Sequence, residues 1–456
     1  MKKQHISKLI IVLIASVLLQ SCFVAKNYKA PKVNTDNLYR TEKQLDSTSI
    51  AAVSWNKLFT DAILQNYIKE GLVNNYDVKI ALQNLIAARE NMKQGKLGYL
   101  PSVNGNTTWL YRKVKNTPDY NEHEFSANIS WEADIWGKIR STKRASVAKY
   151  LQTVAAQQAI QTEIVANIAS TYYQLLALDD QVKVAEKTLI NRNQSIETIK
   201  ALKTAGIVNE VSVKQTEAQK YATEIILKDL KYNVTVFENT LSILIGKSPE
   251  ALKRTSFENQ KITANIKTGI PALLLSRRPD VISAELNFRN SFELTNVARS
   301  NFYPSLNVNA SGGFNSLELK NWFNSSSLFS SILTGLTQPI FNQRRIKTNF
   351  EIAKANQQKA YLQFEKTLLV AGKEVSDALA DYKNETEKLV IRKHKLDALK
   401  IAAADSDELL KYGMVNYLEV LTAKDNALNT ELELINNKYK QLNAVINLYK
   451  ALGGGY

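Results

Sequence analysis

Residues 164–189 read IVANIASTYYQLLALDDQVKVAEKTL, and within them Ile164, Ile168, Tyr172, Leu175, Leu178, Val182, Ala185 and Leu189 recur in steps of three and four. That spacing draws one apolar stripe along a helix. Working outward, the stretch lies inside residues 138–205, 68 positions with neither proline nor glycine. A second such stretch, residues 344–412, contains no proline and one glycine, Gly372, and repeats the stepping at Leu368, Ala371, Val375, Leu379 and Tyr382. Helix breakers punctuate a compact domain more often than this. A helix of that length reaches on the order of 100 Å at 1.5 Å per residue. It cannot be a globular core helix and must pack lengthwise on others, as in a coiled coil. Shorter helical segments, residues 61–97 and 209–246 beside the first rod, roughly 270–300 and 416–450 beside the second, have the lengths to stack end to end along the rods.

The two rods belong to a chain written twice. Lys96-Leu97-Gly98-Tyr99-Leu100-Pro101-Ser102-Val103-Asn104 returns loosely as Arg299-Ser300-Asn301-Phe302-Tyr303-Pro304-Ser305-Leu306-Asn307, an offset of 203. Asp134-Ile135-Trp136-Gly137-Lys138 is matched to Pro339-Ile340-Phe341-Asn342-Gln343, an offset of 205, and Ala205-Gly206-Ile207-Val208-Asn209 to Tyr412-Gly413-Met414-Val415-Asn416, an offset of 207. Three matches in one order mean a duplicated unit. The expected organisation is a first repeat over 61–265 with a β-hairpin at 100–135, and a second over 266–456 with a hairpin at 303–340. Gly206 and Gly413 should each stop a long helix.

Four segments carry a different period. Val103, Gly105, Thr107, Trp109 and Tyr111 alternate with polar residues, as do Phe125, Ala127, Ile129 and Trp131, and Leu306, Val308, Ala310, Gly312 and Phe314. The fourth, around Leu328 to Gln338, alternates poorly and is assigned by the repeat. Alternation over about ten residues with aromatics near the ends reads as a transmembrane β-strand; the soluble half-buried hairpin is the plainer alternative. Four strands cannot close a barrel, and an open edge in lipid leaves backbone groups unsatisfied. Several copies must then share one barrel, and three give twelve strands. The predicted fold is mainly α with a membrane β part, in a homotrimer.

The first residues read as a targeting signal. Lys2, Lys3 and Lys8 precede an apolar run from Leu9 to Leu19, 11 residues and too short to span a bilayer. Leu18-Leu19-Gln20-Ser21-Cys22 resembles a bacterial lipobox, so residues 1–21 are expected to be removed, Cys22 acylated, and residues 22–60 to form an N-terminal anchor segment. Cys22 is the only cysteine and the histidines are His5, His123 and His394. That excludes an intrachain disulfide and argues against a zinc site or histidine triad. The formal charge of +16 falls to +13 without the signal. With no phosphate loop or aromatic–basic patch, the excess reads as solvated helix faces, and no nucleic-acid partner, cofactor or metal is expected. Glu132 with Asp134, and Asp405, Asp407 and Glu408, are the nearest approach to a catalytic carboxylate pair; helical acidic runs face water, and no catalytic residue is assigned. A coiled-coil spacer would explain the rods but neither the hairpins nor the duplication.

Arg277-Arg278-Pro279-Asp280-Val281 followed by Ala284-Glu285, Phe302-Tyr303-Pro304-Ser305-Leu306, Gln338-Pro339-Ile340-Phe341 and the ending Leu448 to Tyr456 resemble the motifs of outer-membrane efflux proteins of the TolC/OprM type. Tyr28 and Pro31 fit its lipoprotein branch. The resemblance implies a homotrimer with a twelve-stranded outer-membrane barrel above a periplasmic α-helical tunnel. It implies docking to a periplasmic adaptor protein and an inner-membrane pump, commonly a proton-driven resistance-nodulation-division (RND) transporter. Carried over, Gly206, Val208 and Asn209, with Gly413, Val415 and Asn416, are the adaptor-docking tips. Glu419 is the candidate for a ring of carboxylates at the periplasmic entrance. Thr422 stands where a second acidic ring is common, which puts that ring in doubt; the facing of Asp425 is open. The lipid is expected in the inner leaflet of the outer membrane, since Phe23 follows Cys22. Export of drugs or other small molecules is the leading function, and protein secretion with an ABC transporter or metal-ion efflux the alternative. Only Met1, Met92 and Met414 are available for a methionine relay.

Overall fold

A computed structural model of the chain describes residues 24–35, 38–40, 49–258, 260 and 271–455; the predicted signal peptide, Cys22 and Tyr456 lie outside these. Helices longer than one turn are α1 (Ala62–Asn74), α2 (Tyr76–Leu97), α3 (Lys138–Thr204), α4 (Glu210–Leu244), α5 (Pro279–Ser300), α6 (Arg345–Lys411) and α7 (Tyr417–Ala451). The strands are β1 (Ser102–Arg112), β2 (Tyr120–Ala133), β3 (Ser305–Ser316) and β4 (Leu328–Thr337). None of the described helices is long and apolar enough to cross a membrane.

The duplication preserves every paired helix length. Helices α2 and α5 have 22 residues each and start 203 apart; α3 and α6 have 67 each, α4 and α7 have 35 each, and both pairs are offset by 207. This corrects the match at 134–138. The offset is already 207 there, since Gly137 and Arg344, both with positive φ, occupy the same place before α3 and α6. The change from 203 to 207 falls wholly in the hairpin tips, residues 113–119 in the first repeat and 317–327 in the second. The first tip is also shorter than the alternation suggests, because β2 starts at Tyr120.

The chain divides into two compact units. Of the described residues, one comprises those within 24–33, 84–154 and 283–366 and contains the sheet; the other comprises those within 34–83, 155–282 and 367–455. Both draw on both repeats.

In the first unit the four strands form one antiparallel sheet in the order β1-β2-β3-β4. Asp134 starts α3: its Oδ1 and Oδ2 accept the N–H groups of Ile139 and Arg140 at 2.8 and 2.9 Å, satisfying donors that a helix start leaves open. Glu132 accepts from Lys138 at 3.0 Å. The nearest approach to a catalytic carboxylate pair is thereby a helix cap and an ion pair. Residues 24–28 lie along α5. Asn296 holds the backbone of Lys26 through both its amide atoms, at 3.1 and 2.9 Å, and Arg299 donates to the carbonyl of Val24 at 3.3 Å. Tyr28 packs edge-on against Phe288 and Phe292, under the Arg289 guanidinium.

In the second unit Tyr172 and Tyr173 of α3 are buried with Phe59, Leu64, Ile68 and Ile168. Asp61 caps α1 and also accepts from Tyr172, Thr255 and Gln260. Burial alone would raise its pKa, but the hydrogen bonds from Thr255, the Leu64 and Ile63 amides and Tyr172 outweigh it and hold the carboxyl below its ordinary range. Arg278 of the RRPD motif pairs with Asp280 and Glu374 and donates to the carbonyl of Ala451 at 3.0 Å, the last residue of α7. The motif that opens the second repeat therefore holds the end of α7. Gly372 is where Leu38 crosses α6: an added Cβ would lie 2.7 Å from the Leu38 carbonyl oxygen and 2.5 Å from its Cγ.

Candidate functional site

The sheet has two chemically distinct faces. Register places Phe125 opposite Phe314, Ile129 opposite Val103 and Ala310, and Ala310 opposite Ile332, so Val103, Thr107, Trp109, Ala127, Trp131, Val308 and Leu336 share one apolar face. The other carries Asn104, Asn106, Asn128, Ser130, Asn307, Asn309 and Ser311, with Ser130 donating to Asn309 at 2.9 Å across the strands. Lipid accepts the first face and water the second. The poor alternation of β4 has a physical cause: Leu328, Ile332 and Leu336 lie on the apolar face, while Phe329 and Leu333 lie on the polar one.

Aromatic side chains mark both ends of the apolar face. At the tip end, Trp109 stacks on His123 and Phe314 meets Phe323. Trp322 and Phe323 come from the β3–β4 connection and fold back onto His123 and Phe125. At the helix end, Trp131 donates to the Tyr99 carbonyl, and Trp136 stacks on Tyr303 at 4.9 Å and donates to the Pro304 carbonyl. From His123 to Trp131 is eight residues, about 27 Å along a strand, or about 20 Å of membrane height at a typical barrel tilt. This agrees with an outer-membrane apolar band flanked by aromatic girdles. Sequence reasoning misses the contribution of Trp322 and Phe323; an apolar aromatic pair in an otherwise polar tip is the available signal.

Strand β1 is exposed along its whole length, and β4 at every position but Phe329. Each presents an unpaired backbone edge, which in lipid costs several kcal/mol per unsatisfied group.

The second unit contains the paired helix ends. Gly206 and Gly413 adopt φ of +74° and +69°, and both long helices close by the same pattern: Ile207 N–H to the Leu202 carbonyl with Gly206 N–H to Lys203, and Met414 to Leu409 with Gly413 to Leu410. A Cβ at either glycine would meet nothing within 4 Å, so the glycines answer to backbone conformation rather than to crowding. Asn209 caps α4 by accepting from Ser212, and Asn416 caps α7 by accepting from Glu419 at 3.1 Å. Val208 and Val415 turn inward, onto a cluster of Ile199, Val213, Leu410, Tyr417, Val420 and Leu421. The outward apolar positions are Ile207, 48% exposed, and Met414, 71%.

Glu419 is exposed in the first turn of α7 and accepts from the Asn416 amide at 3.0 Å. With Thr422 and Asn426 it borders one shallow surface groove. Asp425 does not join that surface: it pairs with Arg192 of α3. Burial pushes the Asp425 pKa up even though the guanidinium pulls it down. The start of α7 is also tied to α4, with Thr216 Oγ1 at 2.7 Å from the Tyr417 hydroxyl, and to α6 by Lys424–Asp407 at 2.7 Å. Between α3, α6 and α7 runs a groove of about 620 Å³ lined by Ile199, Leu202, Leu410, Lys187 and Lys411.

The sequence profile of the outer membrane efflux protein family matches residues 67–247 and 270–454. The chain is 27% identical to the cation efflux system protein CusC of Escherichia coli K12, over 96% of this chain and 98% of that one. It is equally similar, at 27% over 97% of each, to the solvent efflux pump outer membrane protein SrpC of Pseudomonas putida. A crystal structure of CusC superposes with a TM-score of 0.85 at 27% identity, covering 94% of this chain and 99% of that one. The chain belongs to the outer membrane efflux protein family and is an outer-membrane channel of the kind that serves tripartite efflux systems.

Proposed function

We propose that the protein is the passive exit duct of a tripartite system exporting drugs or other small organic molecules. It works as a lipid-anchored homotrimer with a periplasmic adaptor and an inner-membrane RND-type transporter. The observation that carries this reading is the pairing of a two-faced, open-edged sheet with duplicated long helices that end in matched glycine turns. The polar face carries Asn and Ser along its middle, with Glu122 and Glu124 toward the tip and Glu132 toward the helices, and offers water-like hydrogen bonding, which suits a conduit that leaves substrate choice to the pump.

Adaptor contact is assigned to the Gly206–Asn209 and Gly413–Asn416 turns, with Ile207 and Met414 as the apolar contacts. Glu419 would form the entrance ring, three carboxylates that repel one another and favour bound cations or protons. The course of the N-terminal segment supports acylation at Cys22. Val24 is held by Arg299, close in the chain to Ser305, where β3 begins.

The test is a photo-crosslinking residue placed at Ile207 or Met414 in living cells, with captured proteins identified by mass spectrometry. Capture of a periplasmic adaptor is expected. Capture of nothing periplasmic, from a protein that is a single chain after gentle extraction, would overturn the tripartite reading. Metal-ion efflux is the second reading, favoured by the similarity to CusC. Deleting the protein and scoring sensitivity to organic compounds against metal salts separates the two.

A further inference from the structure

From the repeat geometry we infer the residue-by-residue register in which β4 of one copy pairs with β1 of the next. The inference rests on the shared-barrel reading above and adds to it a seam that can be checked atom by atom.

The two hairpins are equivalent under the offsets that relate the helices. Ser102 pairs with Ser130 in the first, and Ser305 pairs with Thr337 in the second, so β1 maps to β3 by 203 and β2 maps to β4 by 207. The seam between repeats within one chain is β2–β3, with Phe125 opposite Phe314, Ser126 opposite Gly313 and Ile129 opposite Ala310. In a closed ring of copies, the seam from the second repeat to the next copy's first repeat is the same junction. Moving β2 forward by 207 and β3 back by 203 gives its register. Ile332 faces the partner subunit's Tyr111, Leu333 faces the partner subunit's Leu110, and Leu336 faces the partner subunit's Thr107.

The registers themselves guarantee that the faces match across the seam, and one observation that did not enter the derivation agrees with it. The register preserves the faces: Ile332 and Tyr111 both lie on the apolar face, and Leu333 and Leu110 both on the polar one. A slip of one residue would bring opposite faces together. A slip of two would set Leu333 against the partner subunit's Thr108 or the partner subunit's Arg112. Further, the aliphatic residues on the polar face are Leu110 and Leu333, and both stand on edge strands. The inferred register makes them direct neighbours, which accounts for two aliphatic side chains on an otherwise largely polar face. Both are exposed in the single chain.

The experiment is disulfide crosslinking in the assembled membrane protein. Within one chain β1 and β4 are separated by β2 and β3, about 14 Å at the usual strand spacing, so cysteines on them cannot bridge intramolecularly. Leu110→Cys with Leu333→Cys, and separately Thr107→Cys with Leu336→Cys, should shift under mild oxidant from one-chain to two- and three-chain species, reversed by reductant. Each single variant should give none. Leu333→Cys with Thr108→Cys or with Arg112→Cys should crosslink at least tenfold less. Stronger crosslinking of a shifted pair would overturn the register while leaving the ring intact. No crosslinking of any pair in a protein that remains trimeric would also overturn the seam. No crosslinking with a single-chain particle in gentle detergent would overturn the shared barrel itself.

Discussion

Replacing Asp425 is expected to loosen the helix ends far more than replacing its partner. The Arg192 side chain is 3% exposed and that of Asp425 27%, so the two substitutions strand unequal charges. Asp425→Asn leaves a guanidinium buried without a counter-charge, and the Arg192 Nε has no hydrogen-bond partner among the described residues. Breaking a buried pair in this way costs about 3–5 kcal/mol, and the lower end applies where one partner keeps some contact with water. Arg192→Met instead leaves a carboxylate that water can reach, at a cost of about 1 kcal/mol. The difference, about 2 kcal/mol, is about a thirtyfold difference in the population of the opened tip. Hydrogen exchange by mass spectrometry reads this locally, in peptides covering residues 185–204 and 417–431 of the purified assembly. Asp425→Asn should exchange there about thirtyfold faster than Arg192→Met, and Arg192→Met with Asp425→Leu should exchange close to the natural protein. Equal rates for the two single variants, or a faster Arg192→Met, would refute the reasoning.

Gly372→Ala should lower the thermal midpoint. Alanine in a free helix would gain about 1 kcal/mol, but forcing a methyl into the Leu38 backbone costs about 1–3 kcal/mol; a raised midpoint would show that Leu38 does not cross α6 there. Asn209→Ala and Asn416→Ala should each lose about 1 kcal/mol of local helix stability, seen as faster exchange in the first turns of α4 and α7. Glu293 is 1% exposed and burial raises its pKa, so the folded chain binds its proton more tightly than the unfolded chain does. Stability is therefore lost as pH rises from the unfolded value through the folded one, and is regained on acidification. Glu293→Gln should raise the melting midpoint at neutral pH more than in mild acid, and an equal change at both would count against it.

The long helices are legible in the sequence because their signals are local: apolar stepping, absent breakers, and a glycine and asparagine at each turn. Their bounds follow within a few residues. Three of the four strands are legible for the same reason, and β4 is not, because Phe329 and Leu333 put apolar residues on its polar face as well. The RRPD motif is recognisable, but not that Arg278 reaches the end of α7, 173 residues away. Gly372 stands out as a lone glycine; its cause is a crossing by Leu38, far earlier in the chain, which no local pattern records. For the docking turns the sequence locates Val208 and Val415 but cannot say that they face inward, since direction depends on helices brought together from both repeats. The facing of Asp425 is open in the sequence for the same reason, and Arg192 escapes notice because a lone arginine on a long helix looks like any solvated one.

The unequal hairpin tips have a practical consequence. The paired helices keep their lengths between the repeats and the hairpins keep their register, while the second tip, residues 317–327, is longer than the first, residues 113–119. The connection can therefore lengthen without disturbing the strands, and closing a longer loop costs little entropy. A short epitope grafted between Asn116 and Thr117, where the backbone already turns through positive φ, should be displayed on the outer surface of the cell while the duct still assembles.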